Sequence, residues 1–282
     1  MHACLRRLHR AENHLDRAGI ALKRGQGRKK KLQGKHTLSD ALNIEVNTRA
    51  TVERIAIDPD HDCLVIDDFL LNPDEVIAWA RDRLEDFFMQ ERAYPGLILP
   101  LSDHQAAPLH AFIRSRLSRA FGFLRGNIQF QTQFSLTTLR PEDFSWIQCL
   151  PHSDPQHETG RANFATVLYL FENPALGGTG FYRWKDVAFW QEMTRAQVND
   201  PDHGLDRLRE RFEMFRRPWA YTTDSNEAVE LLTMIPARYN RIICYPGDLP
   251  HNAFVKQPEL LTDDPLTGRF SLNSFAGVWP RK

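Results

Sequence analysis

Along Gln129-Phe130-Gln131-Thr132-Gln133-Phe134-Ser135-Leu136 the more polar and less polar side chains alternate. A period of two puts successive side chains on opposite faces, so the stretch from Ile128 predicts a half-buried strand. Further strands are predicted at Trp146–Leu150, Ala165–Phe171, Ala228–Ile235, Arg241–Tyr245 and Phe270–Val278. Turn signals separate them: Asn173-Pro174, Gly177-Gly178, Pro236 and Asp264-Pro265. Before this β-rich half comes a strand–turn–helix. Cys63-Leu64-Val65-Ile66 is the apolar strand, and Asn72-Pro73-Asp74-Glu75 opens the helix with an Asn cap, Pro at the first position and acids in the first turn. Val76, Ala80 and Leu84 continue it at helical spacing to Phe88, Tyr94-Pro95-Gly96 reads as a turn, and a second helix is predicted over Ala107–Phe121. One stretch interrupts the β rhythm. Lys185–Arg217 is rich in helix formers, with Leu205, Leu208, Phe212 and Phe215 near helical spacing, and predicts a helical insertion.

Composition changes the picture mainly at the N-terminus. The 282 residues are 42% apolar and the formal net charge is zero. Yet residues 1–36 carry 11 Lys/Arg against only Glu12 and Asp16. A basic, glycine-containing extension therefore precedes an acidic body beginning near residue 37, and such a like-charge run is expected to stay solvated and flexible. The acidic body speaks against nucleic acid held on a broad basic face, so any such role falls to residues 1–36. No apolar run approaches the roughly 20 residues of a transmembrane helix, and the first 20 residues lack the apolar core of a secretory signal. Cys4, Cys63, Cys149 and Cys244 are scattered, with no CxxC pair. A reducing, cytoplasmic setting is the expectation.

His152-Ser153-Asp154 follows the predicted strand Trp146–Leu150. In extended chain residues i and i+2 project to one side, so an imidazole and a carboxylate face one point. A second imidazole from another strand would complete a 2-His-1-carboxylate triad, which leaves positions open on a divalent iron. The HxD pattern alone is weak, since on the order of one match arises by chance in a chain with 11 histidines. His14-Leu15-Asp16 is such a match, in the basic extension with nothing beside it. His157 and Glu158 have the wrong offset for the same strand face and are placed on the following loop. His61, His104 and His203 have no partner at ligand spacing and are expected in solvent.

The order of features after His152 carries more. A strand Val167-Leu168-Tyr169-Leu170 leads into Asn173-Pro174-Ala175-Leu176-Gly177-Gly178-Thr179-Gly180-Phe181. Asn240-Arg241-Ile242-Ile243-Cys244-Tyr245-Pro246-Gly247-Asp248-Leu249-Pro250-His251 follows, and Gly268-Arg269-Phe270-Ser271-Leu272 opens the last strand. Over residues 146–282 this order resembles the 2-oxoglutarate/Fe(II)-dependent oxygenase superfamily, in its prolyl-hydroxylase-like branch. The resemblance implies a double-stranded β-helix (jelly roll), mainly β with flanking helices. It assigns His152, Asp154 and His251 to Fe(II), and Arg269, Ser271 and Tyr169 to 2-oxoglutarate, with O₂ as the second co-substrate. It implies oxidation of a C–H bond in a small-molecule or peptide substrate, with no catalytic residue beyond the metal centre.

Two other functions fit a barrel of this shape. One is a cupin-like metal-binding protein with non-oxidative chemistry, which has no use for Arg269. The other is a non-catalytic jelly roll that binds a partner, in which a metal ligand would be missing. Lys185–Arg217 is expected to lie outside the sheet, with Phe189, Trp190, Phe212, Phe215 and Trp219 walling or capping the substrate cleft.

Overall fold

The computed structural model describes residues 41–89, 94–117, 126–154, 162–188, 209–213, 216 and 218–280. The chain divides into two units, Met1–Ala41 and Leu42–Lys282, and every described strand and helix belongs to the second. The basic extension lies outside the described residues, as do His157, Glu158, Phe189, Trp190, His203 and Phe215. Among the described residues no helix is long and apolar enough to cross a membrane.

In chain order the elements are β1 (Glu53–Ala56), β2 (Asp62–Ile66), α1 (Pro73–Arg81), β3 (Phe88–Met89), β4 (Gly96–Leu101), α2 (Ala107–Phe112), β5 (Gly126–Thr137), β6 (Ala162–Tyr169), β7 (Gly178–Trp184), β8 (Val229–Pro236), β9 (Arg241–Pro246), β10 (His251–Phe254) and β11 (Arg269–Pro280). Eight strands form one antiparallel sheet in the order β1-β2-β9-β6-β11-β5-β4-β3, and three form a second in the order β10-β7-β8. From β5 onward the chain passes between the two sheets. β5 lies in the large sheet, and His152 bridges to β10 of the small one. β6 returns to the large sheet, β7 and β8 form the small one, and β9, β10 and β11 alternate again. This crossing is the double-stranded β-helix the sequence resemblance implied.

The large sheet has two cores because β11 and its neighbours alternate. Phe270, Leu272, Ala276 and Val278 join Phe134, Leu136, Leu168 and the helix residues Val76, Ile77 and Leu109 in one buried cluster. Tyr169, Phe181, Tyr245 and Ile243 belong to the other cluster, between the sheets. Arg269, Ser271, Asn273 and Phe275 line a cavity inside the barrel. A sheet flanked by helices on one side and a second sheet on the other needs this alternation.

Several local expectations are corrected. Trp146–Cys149 is a 3₁₀ turn, where a strand was expected. Ser145 and Gln148 form a capping box that closes this turn, a local hydrogen-bond set that outcompetes sheet pairing. Asn72 does not cap α1; its carboxamide accepts from the Glu45 amide and donates to Asn43 O, tying the helix start to the preceding segment. The second helix changes to a π-helical turn at Ile113–Leu117. The strand β7 starts at Gly178, inside what reads as a turn, because Gly177 alone makes the reversal. Its φ is +89°, and a Cβ there would fall 1.7 Å from Phe254 O. Of the insertion only 185–188, 209–213 and 216 are described; Phe212 and the adjacent Trp219 are buried in the cluster between the sheets.

Candidate metal centre and anion pocket

His152 and His251 exchange both backbone hydrogen bonds, each amide to the other's carbonyl at 2.9 Å. Residues paired in this way lie directly opposite, with side chains on the same face. The two imidazoles therefore meet, with ring centroids 4.6 Å apart at 51°. Asp154, two residues on, is pinned by its amide to Gly247 O at 2.7 Å and by its carbonyl, which accepts from Asn163 Nδ2 at 3.1 Å. Gly247 matters here for space. A Cβ at that position would fall 2.9 Å from Asp154 Oδ2 and 3.2 Å from Asp154 Cβ.

The three side chains offer one ligand atom each within 4.8 Å of one another, and His251 Nε2 stands 3.8 Å from Asp154 Oδ1. His251 Nδ1 donates to Leu249 O at 2.8 Å, which fixes the tautomer and leaves the Nε2 lone pair on the Asp154 side. Asp154 Oδ2 is buried without a hydrogen-bond partner. Burial pushes the Asp154 carboxyl up to about 6 despite the His152 charge. Burial and the neighbouring His251 lower His152 to about 4. Burial lowers His251 to about 4, against the Leu249 hydrogen bond. Two neutral imidazoles and a buried carboxylate with a spare oxygen suit a divalent transition metal. Closing from 4.8 Å to the spacing of a bound ion, with ligands about 2.0–2.2 Å from it, needs side-chain movement of about an ångström.

The two histidines of the triad and Arg269 line the same cavity, of about 80 Å³, together with Tyr245, Tyr94, Thr179 and Tyr221. Arg269 opens β11 as expected and is 4% exposed. Its guanidinium donates to Leu176 O at 3.1 Å, Thr137 Oγ1 at 3.1 Å and Gly178 O at 2.6 Å. All three acceptors are neutral, and among the described residues no carboxylate pairs with it. Of the five guanidinium N–H groups these bonds use three, leaving a two-donor fork. Ser271 lines the cavity, its hydroxyl 3.4 Å from Ser135 O. Tyr169 stands behind the wall, its hydroxyl paired at 2.7 Å with Thr179 Oγ1, which does line the cavity.

Two tyrosines on this wall escaped the sequence reading. Tyr94 hydrogen-bonds Thr137 Oγ1 at 3.0 Å, beside Arg269, and burial raises its phenol to about 12. It sits in Tyr94-Pro95-Gly96, legible only as a turn. Tyr221 donates to Leu139 O at 2.8 Å and packs edge-on against Phe144. It follows the insertion, in a segment tied down where Thr222 Oγ1 donates to Cys149 O and Thr222 O accepts from Tyr182 and Asn252. His104 is exposed as expected, whereas His61 is half-buried and pairs with Asp58 at 2.9 Å.

A protein-family model matches residues 48–276, most of the chain and all of this site. The chain belongs to that family, DUF6445, described as a family of unknown function. No curated protein matches the sequence. Among solved structures, the non-heme alpha ketoglutarate dependent epimerase SnoN from nogalamycin biosynthesis is similar at a TM-score of 0.40 and 10% identity, over 76% of each chain. HygX from Streptomyces hygroscopicus, solved with nickel and 2-oxoglutarate bound and in its apo form, gives a TM-score of 0.38 at 15% identity. The match covers 77% of this chain and 82% or 81% of the two HygX chains. At these values the likeness says nothing about activity.

Proposed function

We propose that this chain is an Fe(II)- and 2-oxoglutarate-dependent oxygenase acting on a small-molecule or peptide substrate. The observation that carries the reading is the pairing, across one small cavity, of an open ligand triad with a buried, uncompensated arginine. A guanidinium this deep without a counter-ion is unfavourable, and a carboxylate presented to its free fork forms two parallel charge-assisted bonds. An anion that also reaches the triad must carry a second donor group at its other end, as a 2-oxo acid with a distal carboxylate does. A cupin-like barrel leaves Arg269 without a role, and a purely binding barrel has no use for a complete ligand triad.

In this reading His152, Asp154 and His251 hold the metal, and Arg269, Ser271 and Tyr94 receive the distal carboxylate. Tyr169 acts through Thr179, whose hydroxyl it orients. Bound iron supplies the redox chemistry that couples O₂ reduction to decarboxylation of 2-oxoglutarate, one oxygen atom entering succinate and the other the substrate C–H bond. The chain's own residues position these reactants and, with Tyr221 and Phe275, exclude water from them.

Anaerobic addition of Fe(II) and 2-oxoglutarate is expected to give a weak visible charge-transfer band, absent in His152→Ala. Arg269→Ala is expected to weaken 2-oxoglutarate binding by about 2–5 kcal/mol, as for truncating one partner of a buried charge pair. Equal affinity in Arg269→Ala and the parent removes the co-substrate assignment while leaving the metal site standing.

A further inference from the structure

Asn273 lies on the cavity face of β11, two residues from Ser271 and opposite Gln133 of β5. It is 8% exposed. Its Nδ2 donates to Ser135 Oγ at 3.0 Å. Ser135 Oγ also accepts from Gln133 Nε2 at 3.4 Å. With Nδ2 on Ser135, the carboxamide leaves Oδ1 buried with no partner. A buried carbonyl oxygen in this state marks a place for a bound donor, either a water or a ligand hydroxyl. 2-Oxoglutarate cannot bring it, because its carboxylates and ketone only accept.

Outward from Asn273 the same face continues in carboxamides. Opposite residues of an antiparallel pair share a face, and Gln133, Gln131 and Gln129 stand opposite Asn273, Phe275 and Gly277. Gln133 is half-buried and the other two are exposed. At about 3.4 Å per residue the row spans about 14 Å, room for one or two sugar-sized rings. Among the described residues that line the cavity, Arg269 is the only permanent cation and no acid is present to meet a substrate charge.

Resting on the oxygenase reading above, we propose that Asn273 recognises a substrate hydroxyl and that the substrate is a neutral, polyhydroxylated small molecule. Each carboxamide offers a donor and an acceptor, and each hydroxyl of a polyol offers the same pair in return. A charged substrate would find no counter-charge on this wall, and a hydrocarbon would leave Asn273 Oδ1 unsatisfied.

The test starts from the parent with Fe(II) and 2-oxoglutarate under anaerobic conditions; absence of the charge-transfer band defeats the oxygenase reading itself. With the band present, succinate formation in air is measured with methyl glycosides, myo-inositol and trehalose, and in parallel with free amino acids and acidic peptides. A neutral polyol is expected to raise the rate at least fivefold. Asn273→Leu is expected to raise the KM for that polyol at least tenfold while shifting the Kd for 2-oxoglutarate less than threefold. Gln133→Leu, at a half-exposed position where folding is not at stake, should raise the same KM three- to tenfold. Stimulation by charged compounds alone, or by nothing in the panel, overturns the proposal. So does an unmoved polyol KM in Asn273→Leu, which would mean that Oδ1 holds only water. A tenfold loss of 2-oxoglutarate affinity in Asn273→Leu also overturns it, by assigning the amide to the co-substrate.

Discussion

The two faces of β11 are built on opposite rules. Toward the helices, Phe270 stacks on Phe134 with centroids 5.2 Å apart, and Leu272, Ala276 and Val278 extend the same apolar layer. Its polar interruption, Ser274, is matched by the Thr132 hydroxyl at 2.9 Å, which in turn meets His110. Toward the cavity, Arg269, Ser271 and Asn273 are just as buried, yet among the described residues no carboxylate pairs with Arg269 and none donates to Asn273 Oδ1. One face is satisfied by the chain itself; the other leaves polar capacity open. Polar groups left incomplete in a buried place oppose folding, so their concentration on one face marks the region shaped for chemistry.

Phe270→Ala and Asp154→Ala should separate the faces most widely. Phe270→Ala removes a fully buried ring and is expected to cost about 3–5 kcal/mol in denaturant unfolding. Asp154→Ala is expected to lower Co(II) affinity at least a hundredfold. It should leave the metal-free protein as stable as the parent, or more stable by up to about 3 kcal/mol at pH 7. The sign follows from the carboxyl's folded value of about 6, above its ordinary 3.8. The ionised form opposes folding at neutral pH, and that opposition fades as pH falls through 6. Comparable destabilisation by both variants would erase the distinction between the faces.

Gly247→Ala sharpens it. The new Cβ would press on Asp154 Oδ2 and Cβ, and the carboxylate is the part able to move. Co(II) affinity is expected to fall about tenfold, while the melting temperature changes by no more than a few degrees. A large loss of stability with unchanged metal affinity would show that the turn, and not the ligand, takes the strain.

The sequence was most informative where one period governs a whole element. The alternation from Ile128 to Leu136 and the apolar runs at Arg241–Tyr245 and Phe270–Val278 place strands the structure contains at nearly those limits. The order His152, Asp154, His251, Arg269 brought to attention three residues whose ligand atoms the fold sets within 4.8 Å of one another, and an arginine that lines the same cavity as the two histidines. Legibility failed where a short local bond set or a distant contact decides. Trp146–Leu150 looks apolar enough for a strand, but the Ser145–Gln148 box closes it into a turn. Tyr94 borders Arg269 only because β4 pairs with β5, setting Gly96 opposite Thr137. Tyr169 looks like a pocket residue by position, yet its hydroxyl is taken by Thr179. Nothing in the local pattern distinguishes Asn273 from any other inward polar residue; its orphan oxygen exists only once Ser135 is beside it.

The smallest effect expected tests a histidine built into the helix-side face. His110 is buried, stacks on Phe130 with centroids 4.2 Å apart at 9°, and meets Thr132 Oγ1 at 2.8 Å. Burial lowers its pKa below the ordinary 6.5, with Arg114 acting in the same direction and Asp103 opposing. A histidine held neutral by the fold is protonated first in the unfolded chain. Its contribution is therefore intact above pH 6.5 and declines as pH falls from 6.5 toward the folded value. His110→Leu keeps an apolar group on Phe130 and removes that titration. Unfolding free energies measured from pH 7.5 to 5 should fall more steeply in the parent than in the variant, by at most about 1.4 kcal/mol per pH unit. Taking the difference between the two proteins cancels the other histidines, including His152 and His251, whose protonation is common to both. Parallel curves would mean that the Thr132–Ser274 chain accommodates the imidazolium, so that this face, too, carries a polar group with capacity to spare.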